Sequence, residues 1–342
     1  MPEALQDGGR RRTASWPYGF PPPARRAPDT RGGHRPPRLD AAPARSAERP
    51  RPGEPPPRPA RSWLDFLREL VFARLEPADL GNRDPEFIAA IAPAINAIAR
   101  WYFRVETEGL EHLPACGPLM VVGNHNGGPI MPDAWVVLGW WAERGDARAA
   151  YAMVHDVVFK IPVVNNLLMK AGALPARPEH AERALEAGAV VLVYPGGERD
   201  CLRPFSRRNR VDFFGHAGFV KIAMRRGVPI VPLANVGGHE VYVTVFSSRA
   251  LARWTGIEAL TRVKTVPLQL GLPWGIWLTG FLPYVPLPAK LAYAMGPPIP
   301  FARNPDAARD PEAVRSAYEH VTTVLQSLVD RLASRRRLPI LG

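Results

Sequence analysis

Between residues 117 and 234, short apolar runs alternate with longer stretches of helical periodicity, and no other feature limits the fold of this chain as tightly. Residues 117–122 read Gly-Pro-Leu-Met-Val-Val and residues 189–194 read Ala-Val-Val-Leu-Val-Tyr, both strand-like runs. Further strands are expected over 150–155, 228–234, 241–246 and 291–295. Helices are expected near 132–144, 162–171, 179–187 and 216–226, the third of them capped by Gly188. A last helix is expected over 311–334, with Val314, Tyr318, Val321, Leu325, Leu328 and Leu332 on one stripe. Strands and helices in this order predict an α/β fold, a sheet flanked by helices. No internal repeat interrupts it.

Two different flanks surround that core. In residues 63–71 the apolar positions 63, 66, 67, 70 and 71 form a helical stripe. A second helix follows Asp84-Pro85, with Phe87, Ile88, Ile91, Ile95 and Ile98 on one face and Pro93 predicting a kink or break. These N-terminal amphipathic helices, over 61–104, suit either a core or a membrane interface, where Trp and Tyr are favoured. Residues 1–60 hold 15 prolines, 12 arginines and six acidic residues, and so supply +6 of the chain's formal charge of +12. Without apolar clusters they cannot offset the entropy of ordering, and a disordered Pro/Arg-rich tail is expected. Such a tail is a solvated linker or a segment drawn to anionic lipid or nucleic acid. No run of seven apolar residues follows the early arginines, so no signal peptide is expected. The domain division is then a tail at 1–60 and one domain at 61–342, comprising N-terminal helices, an α/β core over 105–300 and a C-terminal helix over 301–342.

From Thr265 to Ala289 there are 25 residues without a charge, the length of a membrane span. Five prolines, at 267, 273, 283, 286 and 288, argue against a lipid-exposed helix. Trp274, Trp277, Phe281 and Tyr284 suggest an interfacial surface or the lining of a lipid groove, and a buried loop-rich core is the alternative.

The chemistry is expected in two loops. The strand at 117–122 runs into Gly123-Asn124-His125-Asn126-Gly127-Gly128-Pro129-Ile130-Met131-Pro132-Asp133. A histidine in a glycine-rich loop after a buried strand sits where α/β folds place function. Its imidazole can take a proton from a hydroxyl, with Asp133 fixing the tautomer, although a loop histidine can equally be structural. After the strand at 189–194 come Pro195-Gly196-Gly197-Glu198-Arg199-Asp200 and then Arg203, Arg207, Arg208 and Arg210. Glycine amides and guanidinium forks suit a phosphate; a turn followed by a solvated basic face is the plainer reading. Cys116 and Cys201 suggest a reducing compartment rather than a disulfide framework. Cys201 has no base assigned to it, so both thiols are expected to be bystanders. There is no Gly-x-Ser-x-Gly elbow, Walker loop or dinucleotide fingerprint, and no His-x3-His or Cys-x2-Cys spacing, so no metal site is expected.

Taken in order, Asn124-His125 with Asp133, the block Tyr194–Asp200 and the strand Val228-Pro229-Ile230-Val231-Pro232 resemble the glycerolipid acyltransferase superfamily. The likeness is greatest to its diacylglycerol acyltransferase-like and bacterial lysophospholipid acyltransferase-like branch. In that family a His-x4-Asp block follows a strand, a Phe-Pro-Glu-Gly-Thr-Arg-Ser block lies downstream, and a Val-Pro-Ile-Val-Pro strand comes last. Here the aspartate stands eight residues after His125 rather than five, with Ile130 in the usual place. Gly196 replaces the family glutamate, which weakens the case for a glycerol phosphate acceptor. The resemblance implies a membrane-associated O-acyltransferase of the EC 2.3.1 type, carrying a fatty acyl group from acyl-CoA to a hydroxyl of a glycerolipid or lysophospholipid. His125 would be the base and Asp133 its partner, with Asn124, Gly127, Gly128, Pro195, Gly196, Gly197, Glu198, Arg199 and Arg203 binding substrates. No cofactor beyond the co-substrate acyl-CoA is implied. The expected partner is an anionic membrane surface, met peripherally or monotopically on its cytoplasmic face; nucleic acid is not expected. A non-catalytic lipid-binding protein of the same fold is the alternative, and the altered spacing to Asp133 is its support.

Overall fold

The computed structural model of the chain describes residues 62–261, 264–278, 284–338 and 341, so the expected tail at 1–60 lies outside the described residues. Ser62 opens α1 (Trp63–Phe72) through a capping box with Asp65. Asp84 caps α2 (Pro85–Ala97), which carries Pro at its first position. The break expected at Pro93 does not occur. Pro93 faces outward, and the helix continues to Ala97 before widening into a π-helical turn at Ile98–Tyr102. A missing donor on the exposed side costs one bond without forcing a clash in the core.

The main sheet has seven strands in the order β1-β10-β6-β2-β5-β3-β4. In chain order these are β1 (Glu106–Glu108), β2 (Leu119–Gly123), β3 (Ala150–Val154), β4 (Ala173–Pro175), β5 (Val190–Val193), β6 (Ile230–Val236) and, last, β10 (Ala292–Met295). From β6 to β4 neighbouring strands are parallel; β10 runs antiparallel to β6, making the sheet mixed. Helices α3 (Pro132–Arg144), α4 (Val164–Lys170), α5 (Pro178–Glu186), α6 (Gly197–Cys201) and α7 (Gly218–Arg226) fall between the parallel strands. The expected boundaries hold to within about two residues for the expected elements, while the three-residue strands β1 and β4 and the five-residue helix α6 escaped the periodicity reading because they are too short to show a pattern.

Every residue of β2 and β6 is buried, as parallel strands covered on both faces require. The last helix, α11 (Pro311–Ser334), starts and ends where expected and buries Val314, Ala317, Val321, Leu325, Leu328 and Leu332. From β5 on one side of β2 the chain crosses by α7 to β6 on the other side, so the connections change direction at β2. The carboxyl ends of strands at such a point form the crevice of an open α/β sheet.

After β6 come the short helices α8 (Gly238–Val241), α9 (Arg249–Trp254) and α10 (Ile257–Thr261) and a second sheet. That sheet is antiparallel, β7-β8-β9, made of β7 (Val243–Ser248), β8 (Val266–Gly271) and β9 (Gly275–Leu278). The charge-free stretch is thus neither a span nor loop-rich over 266–278, though residues 279–283 lie outside the described residues. Pro267 fits the central strand because β9 pairs only from Leu268 onward. Among the described residues no helix is long and apolar enough to cross a membrane.

Candidate active site

The carboxyl ends of β2, β5 and β6 bring together three loops. On the first, the chain leaves β2 at Gly123, where a side chain would collide with the Tyr194 ring: an added Cβ would lie 2.8 Å from Tyr194 Cε1. Tyr194 uses that space to stack on His125, with ring centroids 4.7 Å apart and planes 9° from parallel. Gly127 and Gly128 then adopt positive φ, a single 3-10 turn covers Gly128–Ile130, and Met131 takes the left-handed conformation. These turns absorb the extra residues of the loop. They leave Asp133 in the first turn of α3, facing back at the histidine.

Asp133 Oδ2 lies 2.6 Å from His125 Nδ1 and accepts a second hydrogen bond from the Asn126 N–H at 3.0 Å, while Oδ1 accepts from Ala134 N–H at 2.9 Å. Asp133 is fully buried and the His125 side chain is 11% exposed. Ile130, in the usual family position of the aspartate, is 39% exposed and is no partner for the ring. The eight-residue spacing therefore does bring carboxylate and imidazole together. Burial works against a proton on His125, but the Asp133 carboxylate and the Cys201 thiol beside the ring outweigh it and hold the histidine well above its ordinary value. Cys201 is thus near enough to the imidazole to influence its proton, while Asp133 engages Nδ1.

The second loop supplies a strut. Asp200 Oδ2 accepts the main-chain N–H of His125 at 2.8 Å, and Oδ1 takes Arg203 Nε at 3.0 Å and Nη2 at 2.7 Å. Burial pushes the Asp200 carboxyl up, and Arg203 with the His125 N–H brings it only part of the way back. Gly196 is needed for this fit, since an added Cβ would stand 2.4 Å from that of Asp200. Arg203 is corrected by this geometry. It is 4% exposed, its fork is spent on Asp200 and the Asp212 carbonyl, and it holds the loop rather than a substrate phosphate. Arg199 stays partly exposed, its guanidinium 3.6 Å from the centre of the Phe214 ring. Glu198 accepts from Lys264 N–H at 3.3 Å, and the Pro195 carbonyl lies 2.9 Å from His216 Nδ1.

The third loop follows β6. Asn124 donates to the Asn235 carbonyl at 2.8 Å and accepts Asn235 N–H at 2.9 Å, while Asn235 Nδ2 donates to the Asn124 carbonyl at 2.6 Å. Asn124, expected to bind substrate, is 4% exposed and instead clamps β2 to β6. His239, buried just beyond, is pushed down to about 3 by burial and by the charges of Arg203, His125 and Arg208, so it is neutral. Tyr284 donates its hydroxyl to the Gly127 carbonyl at 2.5 Å, and the Tyr242 ring covers Gly128, where an added Cβ would lie 2.4 Å from Cδ1. Asn126, Asn235, His239, Tyr242 and Tyr284 carry no motif and fall together only through the fold. Asp200 was within the quoted block but had no expected role. Among the described residues no group of three metal-ligating side chains is present.

The acyltransferase family model matches residues 104–236. An uncharacterized protein of Mycobacterium leprae is 33% identical over 275 residues, covering 80% of this chain and 72% of that protein. The human DGAT1/2-independent enzyme synthesizing storage lipids is 27% identical over 237 residues, 68% of this chain and 62% of its own length. Among solved structures, the 1-acyl-sn-glycerophosphate acyltransferase of Thermotoga maritima aligns with a TM-score of 0.47 at 19% identity, covering 81% of this chain and 95% of that one.

Proposed function

The chain belongs to the glycerolipid acyltransferase superfamily, and on that footing we propose that it carries a fatty acyl group from acyl-CoA to a hydroxyl of a glycerolipid or lysophospholipid at a membrane surface, with His125 as general base. The observation that carries this reading is the buried His125–Asp133 pair at the carboxyl end of β2. Asp133 fixes Nδ1 as the protonated nitrogen and aims Nε2 at the acceptor. The acceptor oxygen gives its proton to Nε2 and attacks the thioester carbonyl; the C–S bond breaks and the imidazolium returns the proton to the leaving thiolate. Backbone amides of Gly127 and Gly128 are the proposed donors to the oxyanion, whose loss costs about 3–4 kcal/mol per donor. An apolar cavity of about 80 Å³ between α3 and the sheet, lined by Val121, Met131, Ala134, Leu138, Leu168 and Leu192, has room for part of the acyl chain.

The raised value of His125 has a kinetic consequence: the neutral base grows in as pH rises, so kcat/KM climbs on the alkaline side of neutrality. Membrane association is supported by exposed apolar side chains on the small sheet, among them Leu270, Ile276 and Leu278. The non-catalytic reading rested on the spacing to Asp133 and loses that support once the pair is formed.

The test is transfer from radiolabelled long-chain acyl-CoA to a panel of lysophosphatidate, other lysophospholipids, mono- and diacylglycerol and a long-chain alcohol. A labelled product absent from folded His125→Ala is expected. Full activity of that variant would remove His125 from the role of base, and no product from the native chain with membranes present would remove the reaction.

A further inference from the structure

On the inner face of the small sheet three polar residues line up across the strands: Thr244 of β7 opposite Gln269 of β8, and Gln269 opposite Trp277 of β9. They are 1%, 0% and 7% exposed. Thr244 Oγ1, Gln269 Oε1 and Nε2, Trp277 Nε1 and the Tyr242 hydroxyl are all buried without a hydrogen-bond partner. Gln269 and Trp277 reach toward the Tyr242 hydroxyl without completing a bond to it. Buried polar side chains are nearly always paired, and a run of unpaired ones on a single face marks a place where a ligand completes the set.

That face closes over the reaction centre. Tyr242 covers Gly128, Tyr284 holds the Gly127 carbonyl, and Leu202, next to Cys201, packs in one buried cluster with Tyr242, Trp277 and Tyr284. The unpaired atoms are uncharged donors and acceptors. Nearby cations are already committed: Arg203 to Asp200, and Arg208 and Arg336 to Glu240. Among the described residues, a phosphate placed there would bring charge that these three committed guanidiniums cannot meet. The neighbouring His239 is neutral as well.

We infer that Thr244, Gln269 and Trp277, with Tyr242, form a subsite for an uncharged oxygen group of the acceptor lipid, a hydroxyl or ester carbonyl of an acylglycerol or long-chain alcohol. The subsite rests on the proposed transferase reading for its role but not for its existence, so binding and turnover are measured separately. Thermal unfolding of the native chain is followed with monooleoylglycerol, oleyl alcohol or lysophosphatidate, each below its aggregation threshold. The same measurement is made on Gln269→Leu and on the near-isosteric Thr244→Val. Neutral lipids are expected to raise the native Tm more than lysophosphatidate does, and Gln269→Leu to abolish that shift. In the transfer assay, Gln269→Leu is expected to raise KM for the neutral acceptor by about tenfold or more while KM for acyl-CoA stays within about twofold. Thr244→Val is expected to act in the same direction but less.

Without lipid, replacing the unpaired amide by an apolar group leaves stability unchanged or raised, whereas an amide buried for structural reasons, bridged by water, would lose stability in Gln269→Leu and leave acceptor KM alone. The latter pattern overturns the subsite, as does a stronger Tm shift or higher kcat/KM with lysophosphatidate than with any neutral lipid. A neutral-lipid Tm shift lost in Gln269→Leu, with no transfer to any acceptor, would uphold the subsite and overturn the transferase reading instead.

Discussion

The loops at the ends of β2, β5 and β6 and the inner face of the small sheet are both buried and both polar, yet they are finished to different degrees. In the first region most groups satisfy one another: Asp133 collects His125, Asn126 and Ala134, Asp200 collects His125 and Arg203, and Asn124 interlocks with Asn235, leaving the Tyr194 hydroxyl, Asn235 Oδ1 and His239 Nδ1 without a partner. In the second, five side-chain atoms of Thr244, Gln269, Trp277 and Tyr242 have no partner. A wall that must present one imidazole in one orientation gains from being closed before any substrate arrives. One that recognises a substrate must keep its bonding capacity free. The family match ends at residue 236, just before the small sheet begins.

The largest effects should come from separating the two carboxylates of the finished wall. Asp133→Asn keeps the shape but not the charge or the tautomer, and kcat should fall on the order of a thousandfold or more. Because the Asp133 charge helps hold the proton on His125, its removal should move the alkaline rise of kcat/KM to lower pH. Asp200→Asn leaves an oxygen for the His125 N–H but strands Arg203 as a buried charge without its counter-ion, a loss of about 3–5 kcal/mol. Urea unfolding should register Asp200→Asn strongly and Asp133→Asn weakly, with the order reversed in kcat. Equal effects of both substitutions on both readouts would mean that the carboxylates have no separate tasks.

The small sheet differs between its own faces too, and there the expected effect is smaller. Phe246, Leu270, Ile276 and Leu278 stand 45–70% exposed opposite the buried polar row, with Trp254 and Trp274 also exposed. Replacing Leu270 and Ile276 together by Asp should lower binding to phosphatidylcholine vesicles containing anionic lipid by about tenfold or more, since burying each of these side chains is worth about 1.5–3 kcal/mol. Helix α1 carries a rival patch of Trp63, Leu64, Leu67 and Phe72. Unchanged binding in the sheet variant, with loss on charging Leu64 and Leu67, would transfer the contact to α1.

What the sequence revealed follows the same division. Elements whose burial is set by a long period were legible, as with α3 over Pro132–Arg144 and α11 over Pro311–Ser334, each ending at the expected residues. His125 and Asp133 were legible because strand, glycines and histidine are adjacent in the chain. The buried partners of Arg203 and Asn124 were not legible, because a charge or an amide carries no mark of whether it will face solvent or a partner 3 or 111 residues away. Of the small sheet only β7 was expected, near 241–246, and β8 and β9 were missed for a physical reason. With no charges to set a polar face and prolines at 267 and 273, their alternation of Leu268, Leu270 and Ile276 outside against Gln269 and Trp277 inside appears only once the strands are paired.

Cys201 is the residue on which sequence and structure differ most, and it gives the smallest expected effect. Its thiol is near enough to His125 to help hold the imidazole's proton, which raises the question of a covalent nucleophile. Direct transfer needs no acyl-cysteine, because the neutral imidazole can serve the acceptor hydroxyl itself. Cys201→Ser should then keep kcat within about threefold of native and should shift the alkaline rise of kcat/KM only slightly, since Asp133 still holds the ring. The sharper measurement is intact-protein mass after incubation with acyl-CoA and no acceptor. Under direct transfer the mass is unchanged. An added acyl group that is missing in Cys201→Ser, together with a loss of transfer as deep as in His125→Ala, would replace direct attack by one thioester exchange onto this cysteine followed by attack of the acceptor hydroxyl on the acyl-cysteine, which releases the ester and the free thiol. His125 would remain the base in both, and the finished wall would then hold a nucleophile as well.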